Sequence, residues 1–502
     1  MKGLLSTRAS RAWMVVALIG LVVVVLVLAL RLIPRLTSGQ ELIDAAEPAL
    51  TDERVAGDRA GIDFISKYVD LADPLMTARG GGSREVATLV RLIARRADLS
   101  SREVAAALRR EAPHTEALLR ALPLSGLSGE IPRFTGYLAT TLDLSEEAVA
   151  AQLEETFPKL SQTLTALNGV ATGWNDVPGL NGMTRFDGTT VVKTVPQLRD
   201  YFSEDLVATV EDGKEDFQDV AGSGGIGYIP WLLLVVGAAL LAFGLLQAGR
   251  GAKRAPGKLG WTLVSAAAVV LLAIVLAAQY LPRLNAADRL SDDLAPAFEQ
   301  SRVDGDRAGV DMVHQAVLFG DPIATKRGGA SDEVPELLSF VARQTNVSRR
   351  QILASLRRRA PRTTAVLQAI PLSSVAAEIP HLLTYLQKRL KVSRAELVAL
   401  LERRTPNLAQ AILSVRTVAI RWNSIPGTEQ LTRVDGAEVR TMPELDEYFG
   451  QDVIPVLETQ RENFGDLADP WPPLNTFPPL LIAVGGLLAL YSLLMRRFAT
   501  KL

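Results

Sequence analysis

Four long apolar runs without a charged residue divide the chain of 502 residues. At 1.5 Å per residue, a helix of about 20 residues crosses the hydrocarbon core of a bilayer. The pattern therefore predicts four transmembrane helices. The first run is too long for the core of a signal peptide and no A-x-A-like site follows it, so we expect an uncleaved anchor. The expected spans are 13–33, 229–247, 261–282 and 476–495.

Basic residues lie beside these runs in an uneven way. The loop 248–260 carries Arg250, Lys253, Arg254 and Lys258 and no acid, and the C-terminal tail 496–502 is also basic. Cytoplasmic flanks carry the excess of Lys and Arg in membrane proteins. We therefore expect 1–12, 248–260 and 496–502 in the cytoplasm.

The two long segments 34–228 and 283–475 then lie outside the cell. The basic loop is expected to set topology only, although it is also compatible with a cytoplasmic partner. An Arg-, Ala-, Leu- and Val-rich composition favours a high-GC bacterium, which places the chain in a bacterial plasma membrane as a multi-pass protein.

The two long segments repeat one another at a spacing of 248. GDRAGID begins at Gly57 and GDRAGVD at Gly305. The same shift aligns Arg-Gly-Gly, Glu-Ile-Pro, Trp-Asn and Asp-Gly dipeptides or tripeptides, and a shift of 247 aligns two Tyr-Phe pairs. This indicates a tandem duplication. We expect two extracytoplasmic domains side by side, related by a pseudo-two-fold axis along the membrane normal.

A smaller repeat of 45 residues lies within each copy. It reads as a capped helix, a turn marked by proline and a second helix. Such helix pairs must stack to bury their apolar sides, which predicts a helical bundle. Ser145 is a capping serine without the Glu or Gln partner, because Ala148 occupies the position three residues later. The capping-box pairs are Ser100 with Glu103, Ser348 with Gln351 and Ser393 with Glu396.

Each copy ends in an Asp-Gly turn, MTRFDGTTVV at 183–192 and LTRVDGAEVR at 431–440. Asp-Gly between apolar residues predicts a β-hairpin. The expected fold class is therefore a mostly α membrane protein. It combines four transmembrane helices with two duplicated extracytoplasmic helical-bundle domains, each with a small β-hairpin.

Residue types limit the chemistry of the chain. It has no cysteine, which excludes disulfides, thiolate metal sites and a cysteine nucleophile. Its three histidines, His114, His314 and His381, differ between the copies and have no metal-ligand spacing. No nucleophile motif, phosphate loop or dinucleotide fingerprint is present. We therefore expect no metal, cofactor or catalytic residue.

Two groups of repeated residues are candidates for partner binding. The first joins the GDRAG motif to an Arg-Gly-Gly loop, which either caps and turns a helix or binds a phosphate or carboxylate. The second surrounds the Trp-Asn loop and the Asp-Gly turn, where Trp and Arg either hold the turn or anchor an interface. The residues are Asp58, Arg59, Arg79, Trp174, Asn175, Arg185 and Asp187, and Asp306, Arg307, Arg327, Trp422, Asn423, Arg433 and Asp435.

A third candidate is a cluster of arginines in the second copy. A run of this kind usually forms a solvated helix face, but outside a membrane it can also meet anionic lipid headgroups or acidic envelope polymers. Nucleic acid is not an expected partner, because these segments lie outside the cytoplasm without a uniformly basic recognition face. The cluster consists of Arg349, Arg350, Arg357, Arg358, Arg359 and Arg362.

The leading hypothesis is a non-enzymatic integral membrane interaction or scaffold protein of the bacterial cell envelope, which binds an envelope protein partner. An alternative is a carrier or accessory protein for envelope lipids or other hydrophobic ligands, held in a groove between helices. A third hypothesis is an extracytoplasmic hydrolase that uses carboxylates such as Asp63, Asp73 or Asp187.

Overall fold

A computed structural model of the chain describes residues 8–48, 50–221, 227–251, 258–277, 280–467 and 476–498. The predicted basic loop lies partly outside these residues, as do parts of both tails, the stretch before the fourth apolar run and the end of the third. The described residues are mostly helical, which confirms that part of the predicted fold class.

In chain order the helices are α1 (Arg8–Ala29), α2 (Leu32–Ala46), α3 (Asp52–Met76), α4 (Gly82–Ala97), α5 (Ser101–Glu111), α6 (Pro113–Ala121), α7 (Ile131–Leu142), α8 (Glu146–Thr156), α9 (Pro158–Gly173), α10 (Val195–Asp200), α11 (Val207–Ala221), α12 (Ile229–Gly251), α13 (Lys258–Ala277), α14 (Tyr280–Leu294), α15 (Gln300–Ala324), α16 (Ala330–Thr345), α17 (Arg349–Arg359), α18 (Pro361–Ala369), α19 (Leu372–Leu390), α20 (Arg394–Arg404), α21 (Pro406–Arg421), α22 (Met442–Glu447), α23 (Ile454–Leu467) and α24 (Phe477–Phe498). Short 3₁₀ segments lie at Leu124–Leu127 and Lys326–Gly328, and π-helical turns at Tyr201–Leu206 and Tyr448–Val453.

The chain forms two compact units, and each contains residues from both sequence copies. The apolar unit consists of Met1–Thr51, Thr209–Glu299 and Val456–Leu502. The modular unit consists of Asp52–Ala208 and Gln300–Pro455. The two long segments that the sequence suggested as separate domains therefore contribute to one compact body.

Three helices of the apolar unit are long and apolar enough to cross a membrane: Ser10–Ala29, Ile229–Arg250 and Phe477–Arg497. The third predicted span is shorter, with an apolar stretch at Lys258–Ala273. The bent pair α18 and α19, at 79° to one another, also meets the length and composition limits, but both helices contribute to the core of the modular unit.

The helices of the apolar unit pack in pairs, α1 along α12 and α13 along α24. Glycines allow the first pair to approach closely, because a Cβ atom on Gly20 would lie 2.5 Å from the backbone nitrogen of Leu241. The rings of Trp13 and Trp261 stack with centroids 4.0 Å apart and join the two pairs.

The modular unit contains four modules with the same sequence of elements. Each module has a helix, a residue in the left-handed conformation, a helix that begins after a serine, and a helix that begins at a proline. The modules are module 1 (α4, α5 and α6), module 2 (α7, α8 and α9), module 3 (α16, α17 and α18) and module 4 (α19, α20 and α21). The left-handed residues are Asp98, Asp143, Asn346 and Lys391.

Serine capping follows the sequence prediction. Ser100, Ser348 and Ser393 each form a complete capping box, which confirms the predicted pairs. Ser145 accepts the backbone N–H of Ala148 but has no reciprocal side chain there. Each box satisfies two backbone donors that the first turn of a helix leaves without a partner.

The modules pair across the two copies, module 1 with module 4 and module 2 with module 3. A glutamate of one copy accepts the free N–H groups at the proline-begun helix of the other. Glu378 accepts from Thr115 at 2.8 Å and Glu130 accepts from Arg362 at 2.8 Å. Glu85 accepts from Leu408 at 2.9 Å and Glu333 from Leu160 at 2.7 Å. The long helices also cross over, because α3 packs along α21 and α15 along α9.

The predicted β-hairpins are much reduced in the structure. Each Asp-Gly turn closes with one isolated bridge, Thr184 with Val191 and Thr432 with Glu438, and no extended strand forms in these described segments. The chain turns away because Met183 and Val192 are buried in the helical core, and α10 begins soon afterwards. The hairpin prediction is therefore not confirmed.

Candidate functional site

The glycines and the aspartate of the repeated GDRAG motif lie on the faces of α3 and α15 that contact the other copy. A Cβ atom on Gly57 would lie 3.2 Å from the Cβ atom of Leu431, and one on Gly305 would overlap the side chain of Met183. Glycine is needed at both positions because the opposing segment approaches the helix backbone. The motif is therefore repeated because it forms the same contact twice.

The aspartate of each motif is enclosed in this contact. Asp306 is only 1% exposed, and neither of its carboxylate oxygens has a hydrogen-bond partner of ordinary geometry. Burial raises the pKa of Asp306 to about 8, although the nearby Tyr201 hydroxyl and Arg302 act in the opposite direction. The Tyr201 hydroxyl is near enough to affect this pKa, but it lies outside ordinary hydrogen-bond geometry.

The pseudo-symmetric cluster contains Asp58, Arg54 and Tyr448. Burial raises the pKa of Asp58 to about 7, with Tyr448 and Arg54 again acting in the opposite direction. One carboxylate oxygen of Asp58 is buried without a hydrogen-bond partner. Two carboxyls with raised pKa thus lie between the copies, each against a tyrosine from the other copy.

The arginines of these clusters hold the turn of the opposite copy. Arg302 donates to the carbonyl oxygens of Thr184 and Arg185, both at 3.1 Å, and Arg54 donates to that of Thr432 at 2.7 Å. Sequence reasoning missed the arginines and the tyrosines. The signal was available, because both arginines and both Tyr-Phe pairs recur with the duplication.

The Arg-Gly-Gly loops are explained by packing and turn geometry. Gly81 and Gly329 have φ values of 83° and 88°, and each precedes the first helix of a module. A Cβ atom on Gly80 would overlap the carbonyl oxygen of Asp73. The neighbouring arginines of this first candidate group are exposed: Arg59, Arg79, Arg307 and Arg327.

The tryptophans of the second candidate group are buried. The indole N–H of Trp174 donates to Asp73 at 2.8 Å, and that of Trp422 donates to Asp321 at 2.9 Å. Both rings lie in the main core, so they are not available to a partner in this conformation. Asn175 and Asn423 are half-buried, and the amide of Asn423 donates to Thr325 at 3.1 Å.

The Asp-Gly turns are held by local ion pairs and hydrogen bonds. Arg185 donates to Asp205 at 2.6 Å, and Arg433 donates to Glu447 at 2.6 Å. Hydrogen bonds from Thr190 and Thr189 hold the pKa of Asp187 well below its usual range. Asp435 accepts the backbone N–H of Ala437 at 2.9 Å. These four candidate residues all stabilise their turns.

Two histidines pair with carboxylates. His114 lies 2.7 Å from Glu378, beside the helix start that this glutamate caps, and His314 lies 2.6 Å from Asp446. His381 is exposed. In the part of the chain that the structure describes, no three His, Asp or Glu residues form a group that could hold a metal ion.

Five of the six clustered arginines lie on α17, and Arg362 lies on α18. Arg349, Arg350, Arg357 and Arg358 are exposed on the outer face of α17. The remaining two contact module 2: the guanidinium of Arg359 lies 5.3 Å from the ring centroid of Tyr137, and Arg362 lies 3.8 Å from Glu130.

Helix α8 of module 2 carries an acidic counterpart of this face. Its exposed glutamates are Glu146, Glu147, Glu154 and Glu155. Sequence reasoning found the arginine cluster but missed the acidic helix, although both helices can be aligned on their capping serines.

An exposed apolar stripe lies on α21. Leu413 is 52% exposed and Ile420 is 63% exposed, and seven residues separate them, which places them on one helix face. Threonines, Thr165 and Thr172, occupy the equivalent positions of α9 in the first copy. The two copies therefore differ at this face, one apolar and one polar.

Two small apolar cavities lie in the modular unit. One of about 40 Å³ is bordered by Tyr68, Met76 and Trp422 among others, and one of about 20 Å³ by Leu89 and Leu386 among others. These volumes hold only a few water-sized groups, which is too little for a lipid acyl chain.

Comparison of the chain with protein-family models, with curated proteins and with solved structures finds no match.

Proposed function

We propose that the chain is a non-enzymatic membrane-anchored interaction protein of the bacterial cell envelope, which holds an envelope protein partner on its modular unit. The observation that carries this proposal is the exposed stripe of Leu413 and Ile420 on α21. Arg416 and Arg421 are exposed on the same helix. Aliphatic residues rimmed by arginine are typical of protein interfaces.

The pairing of modules across the two copies supports a rigid platform for such a partner. Each pair of modules is joined by carboxylates at helix starts and by buried apolar residues from both copies. A face on this framework is preorganised, so little conformational entropy is lost when a partner binds.

Membrane anchoring is supported by the apolar helices. Residues before α12 and after α13 contribute to one compact unit, which favours an even number of membrane crossings in the intervening chain. This agrees with a multi-pass topology that has both termini in the cytoplasm and both long segments outside. The small size of the cavities gives no support to the lipid-carrier alternative.

Site-specific photo-cross-linking in the bacterial membrane tests the proposal. A photoreactive amino acid at position 413 is expected to give a discrete cross-linked species, and the same group at position 165 serves as the matched control. Leu413→Glu combined with Ile420→Glu is expected to lower cross-linking from neighbouring position 416. Equal adducts at 413 and 165, or none at either, would contradict the proposal.

A further inference from the structure

The acidic helix α8 and the basic helix α17 share one small core. Val149 and Leu153 of α8 are buried in the same cluster as Ile352 and Leu356 of α17. Both helices also pack against α7. Their outer faces therefore belong to the same end of the modular unit, the end formed by modules 2 and 3.

These outer faces carry opposite charges at equivalent positions. When the helices are aligned on Ser145 and Ser348, every glutamate of α8 falls on an arginine of α17. Ala151 aligns with Ala354 between the charges, and both alanines are exposed. The aligned pairs are Glu146 with Arg349, Glu147 with Arg350, Glu154 with Arg357 and Glu155 with Arg358.

We call these eight residues the charged face. All eight are exposed, and no ion pair within 4.0 Å joins any of them to a described residue of the chain. In the described residues, the side-chain hydrogen bonds of this group are local: a long one, 3.4 Å, from Arg358 to Ser355 on the same helix, and one from the capping Ser145 to Glu147. The charges are thus open to an outside partner.

The equivalent face of modules 1 and 4 does not show this pattern. Arg102 of α5 aligns with Ala395 of α20, and Arg110 aligns with Arg403. Arg109 is already paired with Glu116 at 3.0 Å. The charge segregation is therefore particular to one end of the modular unit, although the four modules have the same elements.

We propose that the charged face binds a second copy of this chain, with α8 of each molecule against α17 of the other. Modules 2 and 3 cap one another in the same way, Glu130 at the start of α18 and Glu333 at the start of α9, and α8 and α17 are the equivalent helices of these two modules. A two-fold partner then places each glutamate row on an arginine row, and the alanines allow close approach.

The balance of charges favours this partner over an anionic surface. The face carries four carboxylates and four guanidiniums, so its net charge is zero. An anionic lipid or polymer would be attracted by α17 and repelled by α8 at similar distance. A second copy pairs both rows at once.

Charge reversal in the full-length chain tests the proposal, with association measured by light scattering in a neutral detergent. The wild type is expected to be dimeric at about 50 mM salt, with a dissociation constant about ten-fold higher at about 500 mM salt, because salt screens exposed charges. Two variants, Arg350→Glu/Arg357→Glu/Arg358→Glu and Glu147→Arg/Glu154→Arg/Glu155→Arg, are each expected to be single chains.

An equimolar mixture of the two variants is expected to form a heterodimer, because both rows are again complementary. This rescue also shows that each variant is folded. Arg102→Glu/Arg109→Glu/Arg110→Glu on α5 is the matched control and should leave dimerisation unchanged, as should Leu413→Glu/Ile420→Glu on the proposed partner stripe.

A wild-type chain that stays single at low salt, or a variant mixture that stays dissociated while both variants keep their helical content, would overturn the proposal. Binding of the single chain to vesicles of anionic phospholipid, lost on reversal of α17, would assign the face to a membrane instead.

Discussion

At the scale of single residues, the GDRAG motif that both copies share is a packing motif. Gly57 and Gly305 admit the opposing segment, while Asp58 and Asp306 are enclosed by it. Their residue types predicted a turn or an anion site, because nothing local shows that a tyrosine of the other copy covers them. A binding role for these aspartates would require that their side chains be exposed, and only the fold shows that they are covered.

The buried carboxyl of Asp306 predicts a stability that falls as pH rises. Its pKa is raised from 3.8 to about 8 in the folded chain, so the folded state holds a proton that the unfolded state releases between these values. Asp306→Asn is therefore expected to raise the free energy of unfolding at pH 8 by several kcal/mol, since one pKa unit corresponds to about 1.4 kcal/mol, and to change it little below pH 4. Urea unfolding followed by tryptophan fluorescence in detergent measures this.

Asp63→Asn on α3 is the control for this variant, because Asp63 is exposed. A loss of stability at pH 8 in Asp306→Asn, with no loss in the control, would mean that the ionised carboxylate is needed for the fold.

At the scale of helices, the starts of the serine-capped elements were predictable. Serine caps, capping-box partners and prolines are local signals, and they mark the beginnings of α5, α8, α17 and α20 as the sequence indicates. The glutamates that cap α6, α9, α18 and α21 were not predictable, because each comes from the other copy.

Removal of one such glutamate is expected to weaken the contact between copies. Glu378→Ala leaves the N–H groups of His114 and Thr115 without their acceptor, which should lower the free energy of unfolding by about 1–2 kcal/mol at pH 7. Burial alone would raise the pKa of Glu378, but hydrogen bonds from Thr115 and His114 outweigh this effect and hold the pKa below its usual value. The loss should therefore diminish as pH falls through the pKa of the folded state.

Denaturant titration at pH 7 and near pH 3, below the lowered pKa, measures this effect, with Glu111→Ala on exposed α5 as the control. An equal loss at both pH values would argue against a charge-dependent cap.

Completion of the missing capping box is expected to stabilise α8. Ser145 accepts the N–H of Ala148 but lacks a reciprocal side chain, so Ala148→Gln should add about 0.5 kcal/mol. Ser348→Ala in the complete box of α17 should lower stability by about 1 kcal/mol. Both are measured by denaturant unfolding at high salt, so that association through the charged face does not contribute. No gain in Ala148→Gln would mean that Ser145 already satisfies the helix start.

At the scale of the whole molecule, the helical class, the apolar runs and the internal repeat were readable from the chain, because periodicity and length carry them. The pairing of modules was not. Two separate domains, and one body in which modules of the two copies pair, would contain the same helices. The two arrangements differ only in which copy provides the contacts of each module. Both arrangements are therefore compatible with the sequence alone.

The pairing of modules across the two copies predicts how each copy behaves when it is expressed alone. Residues 52–208 alone lack the partners of α6 and α9, so they are not expected to form a folded monomer. Co-expression with residues 300–455 is expected to give a soluble one-to-one complex. Size-exclusion chromatography with light scattering and circular dichroism measures both. A folded monomer of residues 52–208 would contradict the exchanged arrangement.

The pairing of modules across the two copies also determines when their contacts can form during synthesis. Glu378 lies 264 residues after the helix start of His114 that it caps. At about 5–20 residues per second, the ribosome supplies it roughly 13–50 s later. During this interval the first copy is exposed with unfinished helix starts and a half-covered core. Its native partner is a stretch of protein that has yet to be translated.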